Sequence, residues 1–394
     1  MFNINKQYLK LKEDYLFEKV RKKVLLYQKE NPEKTIIRLD IGDVSQPLIP
    51  AVIEALHRAA DEMKDRKTFR GYGPASGYDF LKRAIAENDY RKKGCRIEDD
   101  EIFISDGAKS DGSHIQELFS ISNTVGVCSP VYPVYVDTNI MAGRIGNIIY
   151  MPCTKENRYL PILPEKMPDL TYLCYPNNPT GSVFTKDQLQ KWVDRANEQG
   201  TVIIYDAAYE AYVTQENIPR TIYECRGARN CAIELRSFSK NAGFTGLRLG
   251  AAVIPKEIKA EGISLHELWK RRQSTKYNGT SYIVQRAGEA VYSKEGKEQI
   301  RKQILYYKEN AKILTEGLKQ CGYLVEGGVN SPYVWIKTKN KESSWKAFER
   351  FLFQANVSAT PGEGFGREGE GYLRFTSFQT HENTKEAVRR ISGL

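Results

Sequence analysis

Apolar positions along this chain follow two rhythms. From residue 101 to about 255, short apolar runs alternate with text of helical spacing. Ile102-Phe-Ile-Ser105, Thr124-Val-Gly-Val-Cys128, Tyr172-Leu-Cys-Tyr175, Thr201-Val-Ile-Ile-Tyr205 and Cys231-Ala-Ile-Glu-Leu235 read as buried strands, and residues 247–255 as another. Leu189, Trp192 and Val193 mark the inner face of an intervening helix, which Gly200 stops. Buried strands interleaved with helices predict an α/β sheet covered on both faces, with its site at the strand ends.

The flanks differ. The first 35 residues read as one basic amphipathic helix, with Leu16, Val20 and Val24 at four-residue spacing. Residues 36–43 read as a short strand, and Pro50 opens a helix with Val52, Ile53, Leu56, Ala60 and Met63 on one side. A long helix over about 294 to 320 follows the sheet region. Strands at 323–326, 333–337 and 372–378, with helices near 342–355 and 382–392, predict a smaller α+β domain. The expected division is a segment 1–45 joining the small domain, a large domain 46–290 and a small domain 291–394.

Composition narrows the function classes. The net charge of +10 over 394 residues is spread along helices without a nucleic-acid motif, which suits anionic substrates and a phosphorylated cofactor. Seven scattered cysteines lack CxxC spacing and four distant histidines form no HExxH, so a reducing cytoplasm and no metal are expected. No apolar run has the length of a membrane span, and the N-terminus lacks the apolar core of a secretory signal.

The chemistry centres on Ser237-Phe-Ser-Lys240 and Arg248. A lysine amine can bond an aldehyde, while Ser237, Ser239 and Arg248 can hold a phosphate beside it, as lysine-bound pyridoxal phosphate requires. Asp206 follows four apolar residues, and a buried carboxylate there needs a cationic partner such as a pyridinium nitrogen. Tyr209 and Asn178 can reach the same ring, and Tyr132 can stack on it. Gly107 leads into a helix at Ala108 and Lys109, an anion site of free N–H groups. Arg374 lies in a strand, where a bound carboxylate would match its guanidinium. The glycines of Arg70-Gly-Tyr-Gly-Pro-Ala-Ser-Gly77 follow no apolar strand, which excludes a dinucleotide loop.

Together, Tyr132, the Pro176-Asn-Asn-Pro-Thr-Gly181 turn, Asp206, Tyr209, Lys240 and Arg248 resemble the fold type I, class I/II aminotransferases. Further phrases resemble the LL-diaminopimelate aminotransferase family: Tyr15-Leu-Phe17, Ile41-Gly-Asp43, Arg70-Gly-Tyr-Gly-Pro74, Ser105-Asp-Gly-Ala-Lys109, Gly243-Phe-Thr-Gly246, Tyr277-Asn-Gly279, Pro332-Tyr-Val-Trp335 and Thr360-Pro-Gly362. The resemblance implies a large domain with a mixed, mostly parallel sheet, a small α+β domain, and a homodimer with shared active sites.

It also implies that Lys240 bonds pyridoxal phosphate and shuttles protons, and that Asp206 pairs with the ring nitrogen. Asn178 and Tyr209 would bond the phenolic oxygen, and Tyr132 would cover the ring. Ala108, Lys109, Ser237, Ser239 and Arg248 would hold the phosphate, with Tyr72 from the partner subunit. Arg374 would take the α-carboxylate, with Tyr15, Gly42, Lys109 and the partner's Asn278 around the far end of the substrate.

One position departs from the pattern. The family usually has an acidic residue after Gly-Tyr-Gly-Pro to receive the distal ammonium, and this chain has Ala75, followed by Ser76. On that ground an aminotransferase of the same type with another amino donor is the alternative reading.

Overall fold

The computed structural model describes residues 2–12 and 14–394; Met1 and Glu13, which fall within the predicted N-terminal helix, lie outside it. Its centre is a seven-stranded sheet. From one edge to the other the strands are Ile102–Ser105, Gly250–Val253, Ala232–Ser237, Val202–Asp206, Leu170–Cys174, Val125–Ser129 and Ile148–Pro152. All point the same way except Gly250–Val253, which runs antiparallel to both neighbours. Every residue of Ile102–Ser105, Val125–Ser129 and Leu170–Cys174 is buried, which is why they read as continuous apolar runs rather than alternating ones. The expected strand over 247–255 is shorter, because Arg248 and the glycine-dotted loop before it belong to the site.

A second, antiparallel sheet orders Val325–Gly327, Tyr333–Lys337, Tyr372–Thr376 and Thr360–Pro361. Its core gathers Val334, Trp335, Phe348, Leu352, Leu373 and Phe375. Leu16, Val20 and Val24 pack into this core, and Ile37–Arg38 pairs in parallel with Val357–Ser358, so the N-terminal segment sits with the C-terminal elements. The helix Lys294–Gln320 spans both cores: Ile304 and Tyr307 pack with the large sheet, Leu314 and Leu318 with the small one.

Several expectations need correction. The N-terminal helix does not cover 35 residues; a short 3₁₀ turn covers Lys6–Lys10, and the helix is Leu16–Glu30. Residues 2–12 carry lysines and mostly exposed side chains without an inner stripe, so packing extends the helix only from Leu16. Tyr15, at its N-cap, keeps an extended backbone.

In Pro50–Glu62 the buried stripe is Val52, Ala55 and Ala59, while Ile53 and Ala60 are exposed and Met63 lies past the end. Small alanines let this helix lie close against Tyr282–Ala290, a contact that large apolar residues would prevent. The edge strand Ile148–Pro152 and the helices Leu265–Lys276 and Tyr282–Ala290 are additional elements. Among the described residues no helix is long and apolar enough to cross a membrane, and no cluster of side chains could hold a metal.

Candidate active site

The C-terminal ends of the parallel strands open into a cavity of about 500 Å³. Five of these six strands each deliver one part of it. Ile102–Ser105 leads to Ala108 and Lys109, Val125–Ser129 to Tyr132, Leu170–Cys174 to Asn178, Val202–Asp206 to Asp206 and Tyr209, and Ala232–Ser237 to Ser237, Ser239 and Lys240. Arg248 enters from the start of the antiparallel strand, Arg374 from the small sheet, and Tyr15 and Gly42 from the N-terminal segment. Of the residues selected from sequence, only Tyr72 and Asn278 lie outside this cavity.

Tyr72 is 92% exposed, and Asn278 is exposed as well. Their loops touch, since a Cβ at Gly279 would come within 3.0 Å of the Pro74 carbonyl oxygen. Both lie outside the chain's own cavity, on loops that meet beside Ala75.

At the base, Asp206 is 8% exposed. Its Oδ1 accepts from the Ala208 N–H at 3.0 Å and its Oδ2 from the Tyr135 hydroxyl at 2.5 Å. Burial raises its pKa, and the Tyr135 hydrogen bond only partly opposes that. No cation pairs with it among the described residues, so the carboxylate lacks the partner that its burial demands.

Lys240 donates to the Gly42 carbonyl. Burial lowers its pKa to about 8, with Arg374 and Arg248 acting in the same direction and Asp43 against them. Above that pH the cofactor-free chain carries a neutral, nucleophilic amine. Covalent capture of pyridoxal phosphate, followed by borohydride trapping and mass spectrometry, is expected to accelerate as pH rises through about 8 and then level off. A rate still climbing toward the ordinary lysine range near 10.4 would show an unperturbed amine.

The anion cradle depends on close backbone approach. Arg248 adopts a left-handed φ of 62°, a conformation that costs a non-glycine residue about 1 kcal/mol or more and aims its guanidinium at Gly107. A Cβ at Gly107 would lie 2.5 Å from Arg248 Nη2, and one at Gly250 would lie 2.7 Å from the Ala108 nitrogen. Arg248 Nη1 also donates to the Ser239 hydroxyl at 3.2 Å, and the Ser237 hydroxyl accepts from the Ser239 N–H at 3.2 Å. Guanidinium, two hydroxyls and the first N–H groups of Ala108–His114 thus converge on one spot.

Arg374 is 1% exposed in the strand Tyr372–Thr376. It donates to Asn178 Oδ1 at 2.7 Å, to the Asp40 carbonyl at 2.8 Å and to Thr360 Oγ1 at 3.1 Å, while its buried Nε has no partner. No carboxylate pairs with it among the described residues. The bond to Oδ1 turns the Asn178 amide nitrogen the other way, free to donate elsewhere.

Two contributors escaped sequence reading. Tyr333 shares a hydrogen bond of 2.8 Å with Tyr209 and lies under the Arg374 guanidinium at 4.4 Å; its only signal was its place in Pro332-Tyr-Val-Trp335. Tyr135 holds Asp206, yet in sequence it is one more aromatic of a packed helix, and it does stack on Tyr172.

The donor set fits pyridoxal phosphate: an amine for the aldehyde, a cradle for the phosphate, an unpaired carboxylate for the ring nitrogen and an unpaired guanidinium for a substrate carboxylate. Comparison with known proteins agrees. The aminotransferase class I and II family model matches residues 34–391. The LL-diaminopimelate aminotransferase of Lachnospira eligens is 60% identical, with the whole of both chains covered, and that of Agathobacter rectalis is 57% identical over the same extent. The solved L,L-diaminopimelate aminotransferase of Chlamydomonas reinhardtii superposes with a TM-score of 0.94 at 41% identity, covering 99% of this chain and 98% of that one. The chain belongs to the aminotransferase class I and II family, within the group of LL-diaminopimelate aminotransferases, and is a pyridoxal-phosphate-dependent transaminase.

Proposed function

We propose that the enzyme transfers an amino group from LL-diaminopimelate to 2-oxoglutarate, giving glutamate and a keto acid that cyclises to tetrahydrodipicolinate. The observation that carries this reading is the unpaired, buried Arg374 in the same cavity as Lys240 and Asp206, in a chain 60% identical to an enzyme of that name. Nothing in the comparisons favours another amino donor.

When bound, pyridoxal phosphate supplies an aldehyde that bonds amines and a ring that withdraws electrons from the attached carbon. Arg374 grips the donor's α-carboxylate and fixes its Cα–H toward Lys240. Lys240 Nζ, neutral once released, takes the Cα proton. Asp206 holds a negative charge at the base of the cavity, which favours a protonated ring nitrogen. Tyr209 and Asn178 donate hydrogen bonds beside it, and burial keeps the Tyr209 phenol protonated. Tyr132 covers the ring, while the backbone N–H groups of Ala108 and Lys109, with Ser237, Ser239 and Arg248, hold the phosphate.

We assign Tyr72 and Asn278 to the cavity of a second copy in a homodimer, a reading supported by their exposure on loops that meet. Residues 1–45 are read as joining a small domain, 291–394, and residues 46–290 as the large cofactor-binding domain. The seven unpaired cysteines suit a reducing cytoplasm.

A panel of amino donors, followed by loss of the cofactor's aldehyde-form absorbance, tests the reading. LL-Diaminopimelate and glutamate are expected to react fastest. A donor outside this pair that reacts tenfold faster would establish the alternative that Ala75 suggests.

A further inference from the structure

Ala75 cannot carry the charge that a distal ammonium requires, so the chain must supply it from elsewhere if the diaminopimelate reading holds. A second cavity, of about 1130 Å³, lies behind Tyr15 and Lys109, which line both cavities. Most carboxylates in it are already engaged or distant. Asp14 pairs with Lys22 at 2.6 Å, and Glu363 with Lys12 at 2.9 Å. Glu368 has a buried Oε2 without a partner, but its charge is felt by Cys153 and is not among the charges acting on Tyr15 or Lys109.

Asp137, in the helix Val134–Met141, is different. It is half-buried and has no hydrogen bond or ion pair among the described residues. Its charge is felt by Tyr15 and by Lys109. Tyr15 feels Arg374 as well, and it lines both the cavity that holds Arg374 and the one that holds Asp137. The Tyr15 hydroxyl is buried without a partner, and burial pushes its pKa to about 12, which keeps it neutral. Lys109 lies 4.9 Å over the Tyr15 ring and attracts Asp137, yet the two do not close into an ion pair.

We infer that Asp137 is a specificity-determining residue, receiving the distal ammonium of the amino donor while Lys109 receives the distal carboxylate. A diamino dicarboxylic acid carries a second zwitterionic end, which needs one anion and one cation held apart. Asp137 and Lys109 offer both, in a cavity that Tyr15 also lines and Arg374 does not. Burial raises the Asp137 pKa, with Lys12 and Lys109 opposing it, so a substrate ammonium would relieve a charge that its surroundings only partly offset. The inference rests on diaminopimelate being the donor.

The test compares wild type, Asp137→Asn and Asp137→Glu holoenzymes with two donors. For LL-diaminopimelate, Asp137→Asn is expected to lower kcat/KM about ten- to hundredfold, mainly through KM. Glutamate, whose far end is a carboxylate alone, is expected to react faster in the same variant, because a like charge is removed. Asp137→Glu should recover most of the diaminopimelate rate. Asp137→Ser replaces the amide variant if that one fails to fold. An unchanged KM for diaminopimelate, or equal losses with both donors, would overturn the assignment of Asp137. A wild type that cannot use diaminopimelate at all would overturn the functional reading, and this inference with it.

Discussion

Lys240→Ala is expected to lower turnover by about four orders of magnitude or more, with every amino donor and in both directions. The reason is positional. Lys240 is the lysine whose amine is both nucleophilic near pH 8 and inside the cavity with Asp206 and Arg374. Lys109 lines the same cavity but stands over the Tyr15 ring, toward the far end of the substrate. It cannot take the proton from the donor's Cα. The variant should still bind the cofactor through the phosphate cradle, but borohydride should no longer trap it on the protein. Loss of trapping together with retained turnover would assign the chemistry to another group.

The second large effect separates activity from stability. Asp206→Asn keeps the shape of the side chain and an oxygen to accept from Ala208, reverses the bond with the Tyr135 hydroxyl so that the amide donates to it, and removes the charge that pairs with the ring nitrogen. Breaking such a buried pair costs about 3–5 kcal/mol, a roughly two-hundred- to five-thousandfold loss of kcat. The cofactor-free chain should respond in the opposite sense. Burial raises the folded-state pKa of Asp206 above its unfolded value. The folded form then holds the proton more tightly, and stability falls as pH rises from the unfolded pKa through the folded one. Above the unfolded pKa Asp206 therefore destabilises the empty protein, and the amide relieves it. Thermal denaturation of the cofactor-free proteins at pH 7.5 is expected to give Asp206→Asn a Tm equal to or above that of wild type. A clear drop in Tm would mean that Asp206 serves the fold rather than the cofactor.

Most of the cavity was legible because its residues follow apolar runs. A carboxylate directly after four apolar residues, as at Asp206, has few reasons to be there other than a strand-end site, and Ser237 was legible from its spacing to Lys240. Arg374 was legible as the opposite case, a charge inside a strand that needs an anion. Tyr135 and Tyr333 were not, because a tyrosine in apolar text is by default a core residue, and only its hydroxyl partner shows otherwise. Asp137 looks like a polar position on a short helix until the cavity beyond Tyr15 is seen. Among the elements, Ile148–Pro152 was missed because an exposed edge strand lacks the continuous burial that marked its neighbours. The stripe of Pro50–Glu62 was misplaced because alanines, not the larger Ile53 and Met63, make its contact.

The helix Lys294–Gln320 has a consequence of phase. Its two halves serve different cores, and nothing but the winding of the helix keeps Ile304 and Leu314 pointing where each is needed. At 3.6 residues per turn, one residue added between them would swing one half by about 100° relative to the other. Either core would then face the charged side of the helix. The chain can lengthen freely in its exposed loops, but between these two cores it can change only by nearly whole turns, so the spacing from Ile304 to Leu314 is as constrained as any residue in the active site.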